Sequence, residues 1–270
     1  MKQVALIAIL AVASLALAAP PASPEAQKSG PQKNASSDVT KPAPTLVAHA
    51  EKPQSESAGK SSNAGGLEQI LNKMDQTAAT FNSAQADLEA DNYSKVVDEH
   101  DTQKGAIYYR KSGKGVEMAI DFNAPEKRYV LFSEGNVQVY EPKIDQVTKY
   151  AAGKNRAAME SFLLLGFGGR GHDLPKQFDV KYAGTENVGG VNAAKLELIP
   201  RQTAVKNMFS LITLWIDPAR GVSVQQKLLD EKSGDYRLAK YSNIKLNEKV
   251  QDSAFKLKTT SKTKVVSPQG

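Results

Sequence analysis

Apolar residues fall at every second position in Val116, Met118, Ile120 and Phe122, with Glu117, Ala119 and Asp121 between them. A period of two predicts a strand with one apolar and one polar face. The flanking sequence extends this into a meander of about five strands from Gly105 to Tyr150. Ala106 to Arg110 is rich in β-formers and ends at Ser112-Gly113. Asn123-Ala124-Pro125 breaks the chain before Tyr129 to Phe132, Glu134-Gly135-Asn136 turns it into Val137 to Tyr140, and Glu141-Pro142-Lys143 turns it toward Ile144 to Tyr150.

Elsewhere the period changes. Leu67, Ile70, Leu71, Met74, Ala78 and Phe81 recur at spacings of three and four, which predicts an amphipathic helix ending near Thr80 and lying on the sheet. Ala84 to Val97 reads as a first long strand, with a turn from Asp98 to Thr102. Asn155 to Leu165 reads as a second helix, closed by Gly166-Phe167-Gly168-Gly169-Arg170-Gly171. Glycines that follow a helix cannot cradle a phosphate, which needs them after a strand and before a helix. They read instead as a helix exit with a hinge, so Phe162-Leu163-Leu164-Leu165 is either a movable lid or an ordinary buried helix. Strands return at Gln177 to Ala183, Val191 to Leu198, Leu211 to Ile216, Val222 to Leu229 and Tyr236 to Ile244, with Arg201 to Phe209 a polar crossing. The predicted class is α+β, a large antiparallel sheet carrying two helices.

The N-terminal part has a different character. Lys2 followed by the apolar run Val4 to Leu17 and by Ala16-Leu17-Ala18 reads as a signal peptide, residues 1–18, cleaved near Ala18. Residues 19–66 hold seven of the 13 prolines and no aromatic residue, and they read as a disordered Pro/Ala/Ser/Lys-rich linker. The folded domain is expected at 67–266, with 267–270 a tail. These divisions predict an exported, soluble protein.

Composition removes much chemistry. The 270 residues contain no cysteine, which excludes disulfides, thiolate metal sites and cysteine nucleophiles. A net charge of +6 permits contact with anionic partners, but the basic residues do not alternate with aromatic ones as in a single-strand binder, so no nucleic acid is expected. The three histidines, His49, His100 and His172, have no metal-ligand spacing and no catalytic motif around them, so neither a metal nor an enzyme activity is expected. Asp98-Glu99-His100-Asp101 reads as a solvated turn. A curved sheet with too few helices to cover it leaves an apolar cavity. Val116, Met118, Ile120, Phe122, Leu131, Val139 and Trp215 are expected on its sheet side, and Phe162, Leu163, Leu165 and Phe167 on its lid side.

Several separated motifs then occur in a recognisable order. Gly105-Ala106-Ile107-Tyr108-Tyr109-Arg110-Lys111-Ser112-Gly113-Lys114, Tyr129 to Phe132, and Gly135 to Val147 with its Tyr140-Glu141-Pro142 segment are followed by Leu214-Trp215-Ile216-Asp217, Tyr241 to Asn247 and Asp252 to Phe255. Together they resemble the periplasmic outer-membrane lipoprotein carrier (LolA-type) family. The resemblance implies a half-open β-barrel closed by a helical lid, which binds the acyl chains of lipoproteins and carries them between an inner-membrane donor complex and an outer-membrane acceptor, as a monomer without cofactor. It also implies a basic lid latch, at Lys111 in this chain with Arg110 as its substitute. A carrier of a phospholipid or glycolipid, and a periplasmic sensor module on the same fold, remain open readings.

Overall fold

The computed structural model describes residues 56–268, apart from positions 114, 152, 154, 155 and 231. The signal-like run, residues 19–55 with His49, and the end of the tail lie outside the described residues. Helix α1 spans Glu56–Thr80 and buries Ile70, Leu71, Met74 and Ala78, the stripe its spacing predicts. It begins at Glu56 rather than Leu67, so 56–66 is helical and not linker. Extending an existing helix fixes one residue per hydrogen bond, whereas starting one costs far more, and a firmly packed C-terminal half can carry a weak N-terminal one.

Six strands follow: β1 Ser83–Ser94, β2 Glu99–Ser112, β3 Gly115–Ala124, β4 Arg128–Ser133, β5 Asn136–Glu141 and β6 Gln146–Ala151. The turn between β1 and β2 is 95–98, with Asp98 at φ 53°, and Glu99 to Thr102 already belongs to β2. The polar quartet is therefore mostly strand. Its residues pair along β1, where His100 bonds Asp91 at 2.9 Å and rests 4.8 Å from the Tyr93 ring. Charge density suggested a loop there; cross-strand pairing overrode it.

The chain then forms helix α2 (Arg156–Leu163), the glycine segment, a short 3-10 turn at Gly171–Asp173 and helix α3 (Leu174–Gln177). The second half is β7 Phe178–Val188, β8 Val191–Pro200, α4 Thr203–Lys206, β9 Leu211–Asp217, β10 Val222–Leu229 and β11 Tyr236–Leu246, with β12 Lys264–Val266 at the end. The polar crossing at 201–209 thus contains the single helical turn α4.

All twelve strands form one curved, unclosed sheet in the order β12-β6-β5-β4-β3-β2-β1-β11-β10-β9-β8-β7. Every pairing is antiparallel except β12 on β6. Each half is a meander, and β1 paired with β11 joins them. The connection from β6 to β7 must therefore travel from near one edge of the sheet to the other, and it does so across the inner face. There, Met159, Leu163 and Phe167 pack with the β1 to β5 half, while α1 covers the β8 to β10 half through Ile70, Leu71 and Met74 against Leu196, Ile212 and Leu214. On the outer face, the C-terminal segment packs Val250 and Phe255 on Ala119 and Leu131.

Candidate functional site

The first six strands place a row of small and branched side chains across the inner face. Val139 pairs with Val130, Val130 with Ile120, Ile120 with Ile107, and Ile107 with Ala86. Where α2 crosses this row and the sheet continues into β11 and β10, a cavity of about 120 Å³ remains. Its floor is Leu88 and Ala90 of β1, Ile107 and Tyr109 of β2, Met118, Ile120 and Phe122 of β3, and Val130 of β4. Its far wall is Gln226 and Leu228 of β10 with Arg237, Leu238, Ala239 and Tyr241 of β11, and its roof is Phe162 and Leu163 of α2. The space is smaller than the roughly 300 Å³ and upward of sites that hold extended ligands.

Of the residues expected to line the cavity, Met118, Ile120, Phe122, Phe162 and Leu163 do so. Val139 is buried behind Val130 in the same cluster, and Val116 is buried at the far end of β3, opposite Lys111. Leu131 and Trp215 lie on the outer face. Leu131 pairs with Ala119, one position out of step with the inward Val130 and Ile120, and Trp215 stands between the inward Leu214 and Ile216. The Trp215 Nε1 donates to Glu186 Oε2 at 3.0 Å, and the Lys195 ammonium stands 5.2 Å from its ring centre. With a period of two, one step in register exchanges the faces. Leu165 points away from the cavity into the α1 cluster, beside Leu174 and Ile70.

Phe167 closes the inner end of the roof. It is 1% exposed, stacks on Tyr109 and meets Tyr241 edge-on. Burial raises the phenol pKa of both tyrosines, well above its ordinary value in Tyr109. The glycines around Phe167 are packing residues rather than a slack hinge. Gly166 and Gly168 hold φ angles of 83° and 79°, and a Cβ on Gly168 would overlap the Phe81 ring. A Cβ on Gly171 would overlap the Leu71 carbonyl oxygen. Glycine alone lets the segment approach so closely. The Ser223 N–H donates to the Gly166 carbonyl at 2.8 Å, stitching the roof to β10.

The basic pair does not meet α2. Lys111 Nζ donates to the Ala78 carbonyl at 3.3 Å, in the last turn of α1, and lies 5.5 Å from the Phe81 ring centre. Arg110 faces outward, bonds Glu117 and Asp252 at 2.5 Å each, and covers Phe255. Alternation again decides: Lys111 follows the inward Tyr109 by two, and Arg110 by one. Besides the apolar contacts of Met159 and Leu163, α2 approaches the strands through Arg156, which bonds Glu160 within the helix at 2.7 Å. Arg156 lies where Gly115 and Gly135 leave room, since Cβ atoms there would come within 2.8 and 2.9 Å of it. Both glycines have positive φ, so the turn chemistry that was legible in Glu134-Gly135-Asn136 also marks this contact.

His172 holds the glycine segment to α1. Its Nδ1 lies 2.6 Å from Asp75 and its Nε2 lies 3.1 Å from Glu68. Hydrogen bonding to Asp75, and then to Glu68, raises the imidazole pKa above its ordinary value. Burial pushes the Asp75 carboxyl up, but its bonds from His172 outweigh that and leave it lowered. The two ring nitrogens face carboxylates, not a serine. Among the described residues there is no group of three or more His, Asp or Glu placed to hold a metal ion. No described helix is long and apolar enough to cross a membrane.

The cavity residues on β1, β10 and β11 were not singled out from the sequence. Their signal is the alternation Ala84, Ala86, Leu88, Ala90, whose small side chains make it faint.

The family model described as "Outer membrane lipoprotein carrier protein LolA" matches residues 79–258, the whole sheet apart from β12. The chain belongs to the LolA family. No curated protein matches it significantly. Among solved structures, an uncharacterised conserved protein from Thermus thermophilus is 15% identical, with a TM-score of 0.49 over 75% of this chain and 99% of that one. The Mycobacterium tuberculosis lipoprotein LppX is 14% identical, with a TM-score of 0.44 over 69% and 98%. MucB, in the Pseudomonas aeruginosa MucA/MucB complex, is 17% identical, with a TM-score of 0.44 over 71% and 61%. The LolA-family membership rests on the sequence match, which covers all the strands of the cavity floor and far wall.

Proposed function

We propose that this chain is a periplasmic carrier that shields the acyl chains of lipoproteins and ferries them toward the outer membrane. The observation that carries the reading is the apolar cavity between the inner sheet face and α2, in a chain of the LolA family. Its floor consists of Ala, Ile, Leu, Met, Phe and Val side chains with Tyr109, and its roof is one short helix. Each buried methylene is worth roughly 0.8 kcal/mol, so a sixteen-carbon chain exposed to water costs on the order of 12 kcal/mol. A carrier must offset most of that cost and still release its cargo. A roof that covers the wall yet is one short helix thick meets both needs.

In this reading residues 1–18 direct export and are removed near Ala18, and the domain works as a monomer. An inner-membrane donor complex loads it and an outer-membrane acceptor empties it. No catalytic step is involved.

The test is mass spectrometry, under native and then denaturing conditions, of the mature chain purified from an exporting host without detergent. Acylated protein released from it supports the lipoprotein carrier, and free phospholipid or glycolipid would change the cargo. A chain that arrives without lipid and also fails to bind a fluorescent fatty-acyl probe would overturn the carrier reading.

A further inference from the structure

One guanidinium group lines one end of the cavity and a second packs against the lining residue Phe122, and neither has a carboxylate within ion-pair distance among the described residues. Arg237 is part of the cavity wall, its guanidinium carbon 5.8 Å from the Phe209 ring centre. Arg128 lies on the inner face of β4, two positions before the wall residue Val130 and paired across the strands with Phe122. It is 8% exposed, its guanidinium carbon lies 5.2 Å from the Phe122 ring centre, and its Nε has no hydrogen-bond acceptor. One of its Nη groups donates to the Gln103 side-chain oxygen, a neutral partner.

The strand register brings the two groups toward each other. Gln103 pairs with Ala90, and two residues along β1 Asn92 pairs with Arg237. Glu141, Asp101 and Glu126 act on Arg128 through space and Asp235 acts on Arg237, but none forms an ion pair with either; Asp101 accepts from Gln103 Nε2 at 2.7 Å, Glu126 pairs with Lys143, and Asp235 accepts from the Lys95 N–H at 2.9 Å. Burial lowers the pKa of both arginines, yet guanidinium remains charged at any physiological pH.

A buried cation with no carboxylate in contact is a cost to the fold, and an apolar side chain opposite Phe122 would avoid it. The cost is explained if the counter-charge arrives with the cargo. We propose that this end of the cavity binds the anionic oxygen group, phosphate or carboxylate, of an amphiphile whose acyl chain lies along the wall toward Met118 and Tyr109. The inference rests on the acyl-carrier reading and narrows its cargo. The guanidinium fork presents parallel N–H donors to two oxygens of one anion, and Arg128 retains its Nε for that purpose. Asn92 adds a neutral polar group at the same end of the wall.

The experiment compares four pyrene-labelled lipids on the purified chain: phosphatidic acid with diacylglycerol of the same acyl chains, and hexadecanoic acid with hexadecanol. Each pair differs by one oxyanion. A charge-assisted pair is worth enough for the anionic member to bind about ten-fold tighter or more. The pair that shows this preference identifies phosphate or carboxylate as the recognised group. Arg128→Met and Arg237→Met should each bring that ratio near one, while Arg201→Met, at the exposed ion pair with Asp179, leaves it intact. If all four lipids bind and neither wild-type ratio departs from one, the anion site is wrong and the carrier stands. A ratio that survives both arginine changes also removes the site. If none of the four lipids binds, the carrier reading falls and takes the inference with it. The wild-type ratios decide even where a variant fails to fold.

Discussion

Phe167 stacks on Tyr109 with 5.2 Å between ring centroids and 16° between planes, and this contact fixes the crossing segment to the floor it covers. Phe167 also meets Tyr241 at 4.7 Å and 81°, so one ring of the roof bridges the two halves of the sheet. Phe167→Ala should cost about 3–5 kcal/mol, the usual range for removing a fully buried aromatic ring. Urea unfolding followed by tryptophan fluorescence measures it; a loss well under 1 kcal/mol would mean that the roof is held by other contacts.

Gly168 tests whether the glycine segment is packed or slack. Gly168→Ala meets the Phe81 ring and a positive φ together, and should cost more than the roughly 1 kcal/mol of an ordinary glycine replacement. Gly113→Ala, with nothing within 4 Å of the added carbon, should leave the melting temperature nearly unchanged. Equal melting temperatures for the two variants would favour a free hinge.

The two sheet faces can be separated by binding. Phe162→Glu places a charge in the cavity roof, and binding of a fluorescent acyl probe should be lost while the far-ultraviolet circular dichroism of the sheet persists. Trp215→Phe, on the outer face, should leave probe affinity as it was. Leu165→Glu should instead destabilise the whole domain, because Leu165 is packed against α1 and not against the cavity.

The clasp of His172 by Asp75 and Glu68 makes the anchoring of α1 dependent on pH. The imidazole pKa is raised above 6.5 by the folded structure, so its contribution is complete below that value and is lost as pH rises through the folded pKa. Asp75 is lowered below 3.8, so its contribution is complete above that value and is lost as pH falls through the folded pKa. The clasp therefore works best between these limits. The difference in urea midpoint between the wild type and His172→Gln should be larger near about pH 5.5 than near about pH 8.5. A difference that does not vary with pH would mean that folding leaves the imidazole pKa unshifted.

The parts of the fold that were legible are those set by short-range rules. Val222 to Leu229 was bounded correctly because Asp217-Pro218 and Gly221 leave the chain no other turn, and the β3 wall followed from strict alternation. What was not legible depends on register between strands far apart in sequence. Nothing local in Leu131 or Trp215 states which neighbour each will pair with, so their face could not be assigned from hydrophobicity. Leu228, Ala239 and Tyr241 reach the cavity only because β11 pairs with β1, across more than a hundred residues of chain. Arg128 and Arg237 were invisible for the same reason: each looks like an ordinary strand cation until the sheet curves, burying Arg128 and half-burying Arg237.

The path of the chain from β6 to β7 has a mechanical consequence. Because this connection is anchored near opposite edges of the sheet, the roof is tied at both ends and cannot swing aside as a one-sided flap does. It can only be slackened or drawn tight. Any change in the space beneath α2 is therefore coupled to the curvature of the whole sheet rather than to a hinge at one end.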